Sequence, residues 1–420
     1  MSAGLLSYTE ATDKVAAYAR GMRSVADTVE RADIDLALGR VVAQDIVADA
    51  DQPPFSRSTR DGFACRAAEA ALREWLPIAG STHAGQPPAG PLPPGAMWEI
   101  MTGAPVPEGA DAVVMVEHVE RDGERARLLA GRSIQAGENF VVKGAQARAS
   151  DLLVAAGTRM GTAQIAVAAA CGYAAVDVYV RPRVAILTTG DELVEVAAKP
   201  GPGQIRNSNA PMLAALVAAA GGEPWLLMTA ADSNEALDRA LGKALQADVI
   251  LISGGVSAGR FDLVEPALER MGARFFFTGV KIQPGKPVVF GELHAQNIKT
   301  TAGERQLPFF GLPGNPISSA ATFRLFASQV LAALTGATHL GPQFLAAQLV
   351  EPTDRKLKPG LTRFLPARCE FGGGAIPQVR TVRWHGSGDL AAFARANCFV
   401  VVPENVGSLD AGTMARILVL

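Results

Sequence analysis

The chain has 420 residues, of which 49% are hydrophobic and 19% charged, and its formal net charge is −2. These values describe an ordinary soluble globular protein of roughly two to four domains and exclude a disordered or fibrous chain. The near-neutral balance argues against a dedicated nucleic-acid binder, whose phosphate-neutralising surface needs an excess of Lys and Arg.

Between Ser7 and Val47, the spacing of Val15, Tyr18 and Met22 predicts an amphipathic helix, and Ile34 to Leu38 with Gly39 predicts a second short one. Pro53-Pro54 ends any helix and leads into an extended loop. From there to Arg148, Pro/Gly clusters punctuate short runs such as Ala112–Val116, the pattern of a small β domain. Leu152 to Val180 returns to a helical pattern from Gly161-Thr162 to Cys171, followed by strand-like alternation at Val176–Val180. If the two flanking segments pack together, residues 7–47 and 149–181 form one discontinuous domain, and residues 48–148 are a β domain inserted into it.

A βαβ rhythm begins at Arg183. Strands at Val184–Thr188, Trp225–Met228 and Val249–Ile252 alternate with helices at Ala210–Ala220, Asn234–Leu245 and Leu263–Met271. Val288–Phe290, Phe309–Gly311 and a helix at Ile317–Leu334 complete a doubly wound parallel sheet over residues 182–335. Short runs alternating with turns over residues 336–420 predict a C-terminal β barrel or sandwich. The fold class is therefore a multidomain α/β protein: a discontinuous helical domain, an inserted β domain, a doubly wound domain and a C-terminal β domain.

Cys65, Cys171, Cys369 and Cys398 are far apart and form no CxxC pair, so they read as reduced, packed thiols. His83, His118, His294, His339 and His385 show no zinc-site spacing. No leader is expected at Met1–Tyr8, and no apolar run reaches the roughly 20 residues of a membrane span. A cytoplasmic protein with no membrane and no nucleic-acid partner is the expectation.

Three loops follow predicted strands and converge on one sheet edge, where such folds bind ligands. In Thr188-Thr189-Gly190-Asp191-Glu192, hydroxyls and backbone N–H groups suit phosphate oxygens, and the two carboxylates suit a hard cation such as Mg²⁺. A capped strand-to-helix turn is the plainer alternative. Ser253-Gly254-Gly255-Val256-Ser257-Ala258-Gly259 allows close approach of backbone to a ligand, and Asp262 follows near a helix start. Gly311-Leu312-Pro313-Gly314-Asn315-Pro316 is a rigid loop before an apolar helix. Pro284-Gly285-Lys286-Pro287 fixes one cation on a turn, with Lys281 nearby. In the inserted domain, Asp61 is either a turn residue or a carboxylate offered across an interface, and Thr102 opens a second stiff loop.

Taken in order, these segments, with Pro53-Pro54-Phe55, Ile205-Arg206-Asn207-Ser208-Asn209, Ser387 and Ala396-Asn397-Cys398-Phe399, resemble the molybdopterin molybdenumtransferases, the MoeA family that includes the gephyrin E domain. The resemblance implies a homodimer, with the site between the molybdopterin-binding domain of one subunit and the inserted domain of the other. It implies insertion of molybdenum from molybdate into adenylated molybdopterin, with Mg²⁺ and release of AMP. A molybdopterin adenylyltransferase would supply the substrate and apo molybdoenzymes would receive the product.

On this resemblance, Asp61, Thr102, Asp191, Glu192 and Asp262 are the catalytic candidates, with Asp61, Asp191 and Glu192 as metal ligands. Thr189, Gly190, Ser208, Asp232, Gly254, Gly255, Ser257, Lys281, Lys286, Pro313, Asn315 and Ser387 bind the cofactor moiety. Three departures stand out: Gly144-Ala145-Gln146 where relatives commonly carry carboxylates, Gln283 where a lysine is frequent, and a basic loop at Phe55–Arg60. Loss of the carboxylate at Gln146 keeps a second function in view, a binding or handover protein without turnover.

Overall fold

The computed structural model describes all residues except 1–4, 23–27, 231–232, 256–262, 301–302, 354–356, 373 and 375. The first helix, Tyr8–Met22, starts with a reciprocal cap: Ser7 N–H donates to Glu10 Oε2 at 2.8 Å, and Glu10 N–H donates to Ser7 Oγ at 3.2 Å. Ala11, Val15, Ala19 and Met22 form its buried stripe, which packs against Val184, Phe290 and Phe326 of the central α/β domain. The helix thus shares the core of the central domain.

That segment pairs with a distant one. Val29–Asp33 runs antiparallel to Ala175–Tyr179, and Ile46–Val47 to Leu152–Val154. Val42, Ile46, Met160, Val176 and Val178 fill the small core between them. The expected second helix at Ile34–Leu38 is only one 3-10 turn, Ile34–Leu36, directly after the paired strand Val29–Asp33.

Between these halves lies a six-stranded sheet with Gly62–Cys65 flanked by Met97–Ile100 and Ala112–Met115. Gly62 permits this close approach, because a Cβ there would lie 1.9 Å from the Val114 carbonyl oxygen.

In the central domain, β1 (Arg183–Thr188), α1 (Asn209–Ala219), β2 (Glu223–Leu226), α2 (Asn234–Ala244), β3 (Val249–Ser253), α3 (Val264–Arg270), β4 (Arg274–Phe277), β5 (Val289–Thr300) and β6 (Gly303–Leu312) follow in turn. The sheet order is β2-β1-β3-β6-β5-β4. Strands β2, β1, β3 and β6 are parallel. Alternation along β1 explains the two layers: Val184 and Ile186 face the core that holds α1 and Tyr8–Met22, while Ala185 and Leu187 face the core of α2 and α3.

The short runs read at Val288–Phe290 and Phe309–Gly311 are the inner ends of a long antiparallel hairpin, β5–β6. Its outer part is polar in sequence, so apolar patterning could not reveal it. After β6, Pro316–Leu334 forms a continuous helical stretch with a π turn at Phe323–Ala327. It is long and apolar enough to cross a membrane, but 78% of its most apolar window is buried, as befits a core helix.

The last domain is a closed barrel. Thr362–Glu370 pairs with both Gln378–Thr381 and Cys398–Val402, and Cys398–Val402 pairs in turn with Met414–Val419. Ile282–Gln283 of the central domain adds to its edge in parallel with Thr362 and Arg363.

Candidate functional site

The parallel register places the ends of β1, β3 and β6 side by side, with Thr188 opposite Ser253 and Ser253 opposite Leu312. Their loops wall a cleft of about 880 Å³ at the carboxyl edge of the sheet. Thr189, Gly190, Glu192, Ser208, Gly254, Gly255, Pro313 and Asn315 line it, as do Gly388 and Leu390 of the C-terminal domain.

Glycine is required at the floor. Gly254 has φ +95°, and a Cβ there would meet the Thr189 carbonyl oxygen at 2.6 Å. At Gly255, with φ +63°, a Cβ would meet Val264 Cγ2 at 2.8 Å. The Glu192 carboxylate folds over Gly190, leaving its oxygens 2.7–2.8 Å from where a Cβ would stand.

Two side-chain networks hold the loops. Asn207, buried, donates from Nδ2 to Thr188 Oγ1 at 2.8 Å and to Thr229 Oγ1 at 3.2 Å, while its Oδ1 accepts the Ala210 N–H. Asn209 Nδ2 bridges Ser253 Oγ at 2.8 Å and the Gly314 carbonyl at 2.7 Å. Ser253 Oγ meets Ser319 Oγ at 3.3 Å, and Ser319 Oγ donates to the Pro313 carbonyl at 2.7 Å. Both asparagines belong to the segment Ile205–Asn209 that carries part of the resemblance, but the sequence assigns neither a role at the site. The available signal was Asn-Ser-Asn directly before an apolar helix, a capping pattern whose side chains here also reach across to two neighbouring loops.

Other candidates take different positions. Asp191 is exposed at the loop tip beside Glu192. The Ser387 carbonyl accepts the Ile317 N–H at 3.0 Å, which docks the C-terminal domain onto the start of the core helix. Lys281 and Lys286 are exposed and absent from the cleft lining. The Lys281 backbone is committed to Leu6 and Thr362, and its charge helps draw the Glu10 carboxyl downward, after the Ser7 hydrogen bonds.

Asp61 and Thr102 lie in the inserted domain, off this lining, where Thr102 N–H donates to Asp61 Oδ1 at 2.6 Å. That bond holds the Asp61 carboxyl below its ordinary range. Gln146 is exposed in the same domain, its N–H bonded to the Gln52 carbonyl. Gln283 Oε1 accepts from the buried Arg363 Nε at 3.0 Å. Asp232, Ser257 and Asp262 lie outside the described residues.

Three family descriptions match in succession: "MoeA N-terminal region (domain I and II)" at residues 6–172, "Probable molybdopterin binding domain" at 185–333 and "MoeA C-terminal region (domain IV)" at 348–420. The chain is 33% identical to a molybdopterin molybdenumtransferase of Bacillus subtilis, covering 91% of this chain and 88% of the relative. It is 33% identical to one from Nostoc sp., covering 93% and 88%. A solved molybdopterin biosynthesis moeA protein from Pyrococcus horikoshii OT3 superposes with a TM-score of 0.77 at 27% identity, covering 99% of this chain and 100% of that one. Agreement over nearly the whole length, one family region after another, leads to one conclusion: the chain belongs to the molybdopterin molybdenumtransferase family, enzymes of molybdenum cofactor biosynthesis.

Proposed function

We propose that this transferase inserts molybdenum from molybdate into the dithiolene of adenylated molybdopterin, with Mg²⁺ as cofactor and release of AMP. It does so as a cytoplasmic homodimer, fed by a molybdopterin adenylyltransferase and discharging to apo molybdoenzymes. The observation that carries the reading is the glycine floor beside Glu192, where Gly254 and Gly255 keep side chains away from the cleft. Backbone N–H groups exposed in this way can donate to phosphate oxygens at close range.

Mg²⁺ is commonly held by one or two carboxylates together with substrate phosphates and water. Glu192 on the lining and Asp191 beside it suit that mode. Among the described residues no group of three His, Cys, Asp or Glu is arranged for a protein-only metal cage, so shared ligation with substrate is the fitting chemistry. Asp61 would join from the partner subunit. When bound, the ion would neutralise the diphosphate and polarise the linkage to AMP.

The chain's own residues do the positioning. Asn209 ties the Ser253 loop to the Gly314 loop, and Asn207 fixes the Thr188 end of β1. The walls therefore keep their spacing when a polyanion enters. The deciding assay supplies adenylated molybdopterin, molybdate and Mg²⁺, then follows AMP release and activation of an apo molybdoenzyme. Both should occur. Tight ligand binding without AMP release would replace this reading with that of a handover protein.

A further inference from the structure

We propose that Arg206 is the cation that receives the diphosphate of the ligand, an assignment that rests on the transferase reading above. A polyanion beside Glu192 needs fixed positive charge on the same wall. Among the described residues lining the cleft, Arg206 is the one that carries it.

The local fold brings it there. Ile205–Arg206 runs parallel beside Leu193–Val194, and the Ile205 N–H donates to the Glu192 carbonyl at 2.8 Å. With the Asn207 N–H donating to the Val194 carbonyl at 2.8 Å, Arg206 is tied to the carboxylate loop by backbone bonds on both sides. Its Nε donates to the carbonyls of Val196 and Ala198, both at 3.0 Å. These bonds fix the guanidinium at its stem, and no described protein group accepts from its two terminal nitrogens.

A guanidinium held by Nε presents its remaining N–H groups as a fork that matches phosphate oxygens two at a time. A lysine would offer a point charge without that geometry. Arg206 therefore contributes selectivity for a ligand with a diphosphate over one with a single phosphate.

The test uses the full chain with Arg206→Gln and Arg206→Lys, titrated with adenylated and with unmodified molybdopterin at low and high salt. Loss of a charge-assisted bidentate contact should weaken adenylated molybdopterin by about 10- to 100-fold in the Gln variant. Its preference over the unmodified ligand and its salt sensitivity should fall together. The Lys variant should keep the salt sensitivity and part of the preference. Misfolding lowers the active fraction but leaves the ratio of the two affinities unchanged, so the ratio separates binding from structure. Equal weakening of both ligands with unaltered salt dependence would reduce Arg206 to a loop clamp and overturn the assignment. A wild-type chain that binds neither pterin would instead overturn the transferase reading, and Arg206's role with it.

Discussion

Two residue types define the cleft, and each invites a direct substitution. Gly254→Ala forces a Cβ against the Thr189 carbonyl at a positive φ, whereas Gly90 has open space around it and no such φ. The Gly254 change should cost about 1–3 kcal/mol of stability or be relieved by displacement of the loop, with ligand affinity falling in either case. Gly90→Ala should do neither; equal melting temperatures and affinities for both variants would remove the steric argument. Asn209→Ala removes the bridge between the Ser253 hydroxyl, which keeps its contact with Ser319, and the exposed Gly314 carbonyl, for an expected loss of about 0.5–1.5 kcal/mol by chemical denaturation. Asp389 gives a pH test at the cleft rim. Its carboxylate accepts the Ala392 and His385 N–H groups, and these bonds hold it below the ordinary aspartate range. A folded-state value below the unfolded one means the cap is fully present above the unfolded pKa and is lost as pH falls through the folded one. The Asp389 resonance should titrate below the ordinary aspartate range, and a midpoint no lower than that of an unfolded-chain aspartate would remove the cap from the account. The glycines were legible because their motif follows a strand. Asn207 and Asn209 were not, since their partners Thr188, Ser253 and Gly314 lie on other loops.

At the scale of elements, periodicity revealed the elements and concealed their partners. The spacing of Val15, Tyr18 and Met22 predicts the helix Tyr8–Met22 correctly, but an apolar stripe does not say which core it fills. It packs on the central domain, with Tyr18 edge-on to Phe290 at 5.2 Å between ring centroids. Val15, fully buried there, should cost about 1–3 kcal/mol on truncation to Ala. That loss should appear in unfolding of the central domain, read by hydrogen exchange in β1 and β5. Faster exchange confined to residues 28–47 would contradict the packing. The hairpin β5–β6 failed to announce itself for the opposite reason: residues 294–306 are mostly polar in sequence and lack the apolar alternation by which strands are read.

At the scale of the whole molecule, the order of four domains was legible because each has its own periodicity, but the faces they share were not. Pairing of 29–33 with 175–179 spans far more sequence than any local pattern can report. The cleft walls come from the central and C-terminal domains, while Asp61 and Thr102 sit off that lining in the inserted domain. A carboxylate already ordered by the Thr102 N–H, yet exposed, is suited to meet a second surface. If that surface is the cleft of a partner subunit, damage to Asp61 in one chain and to Asp191 in the other leaves one intact site per dimer. Co-expression of differently tagged Asp61→Ala and Asp191→Asn chains, followed by tandem purification, should yield heterodimers with about half of wild-type turnover, while each homodimer is nearly inactive. Half the activity follows because one composite site carries both lesions and the other carries none. Purified heterodimers as inactive as the two homodimers would instead place Asp61 and Asp191 in service of the same subunit.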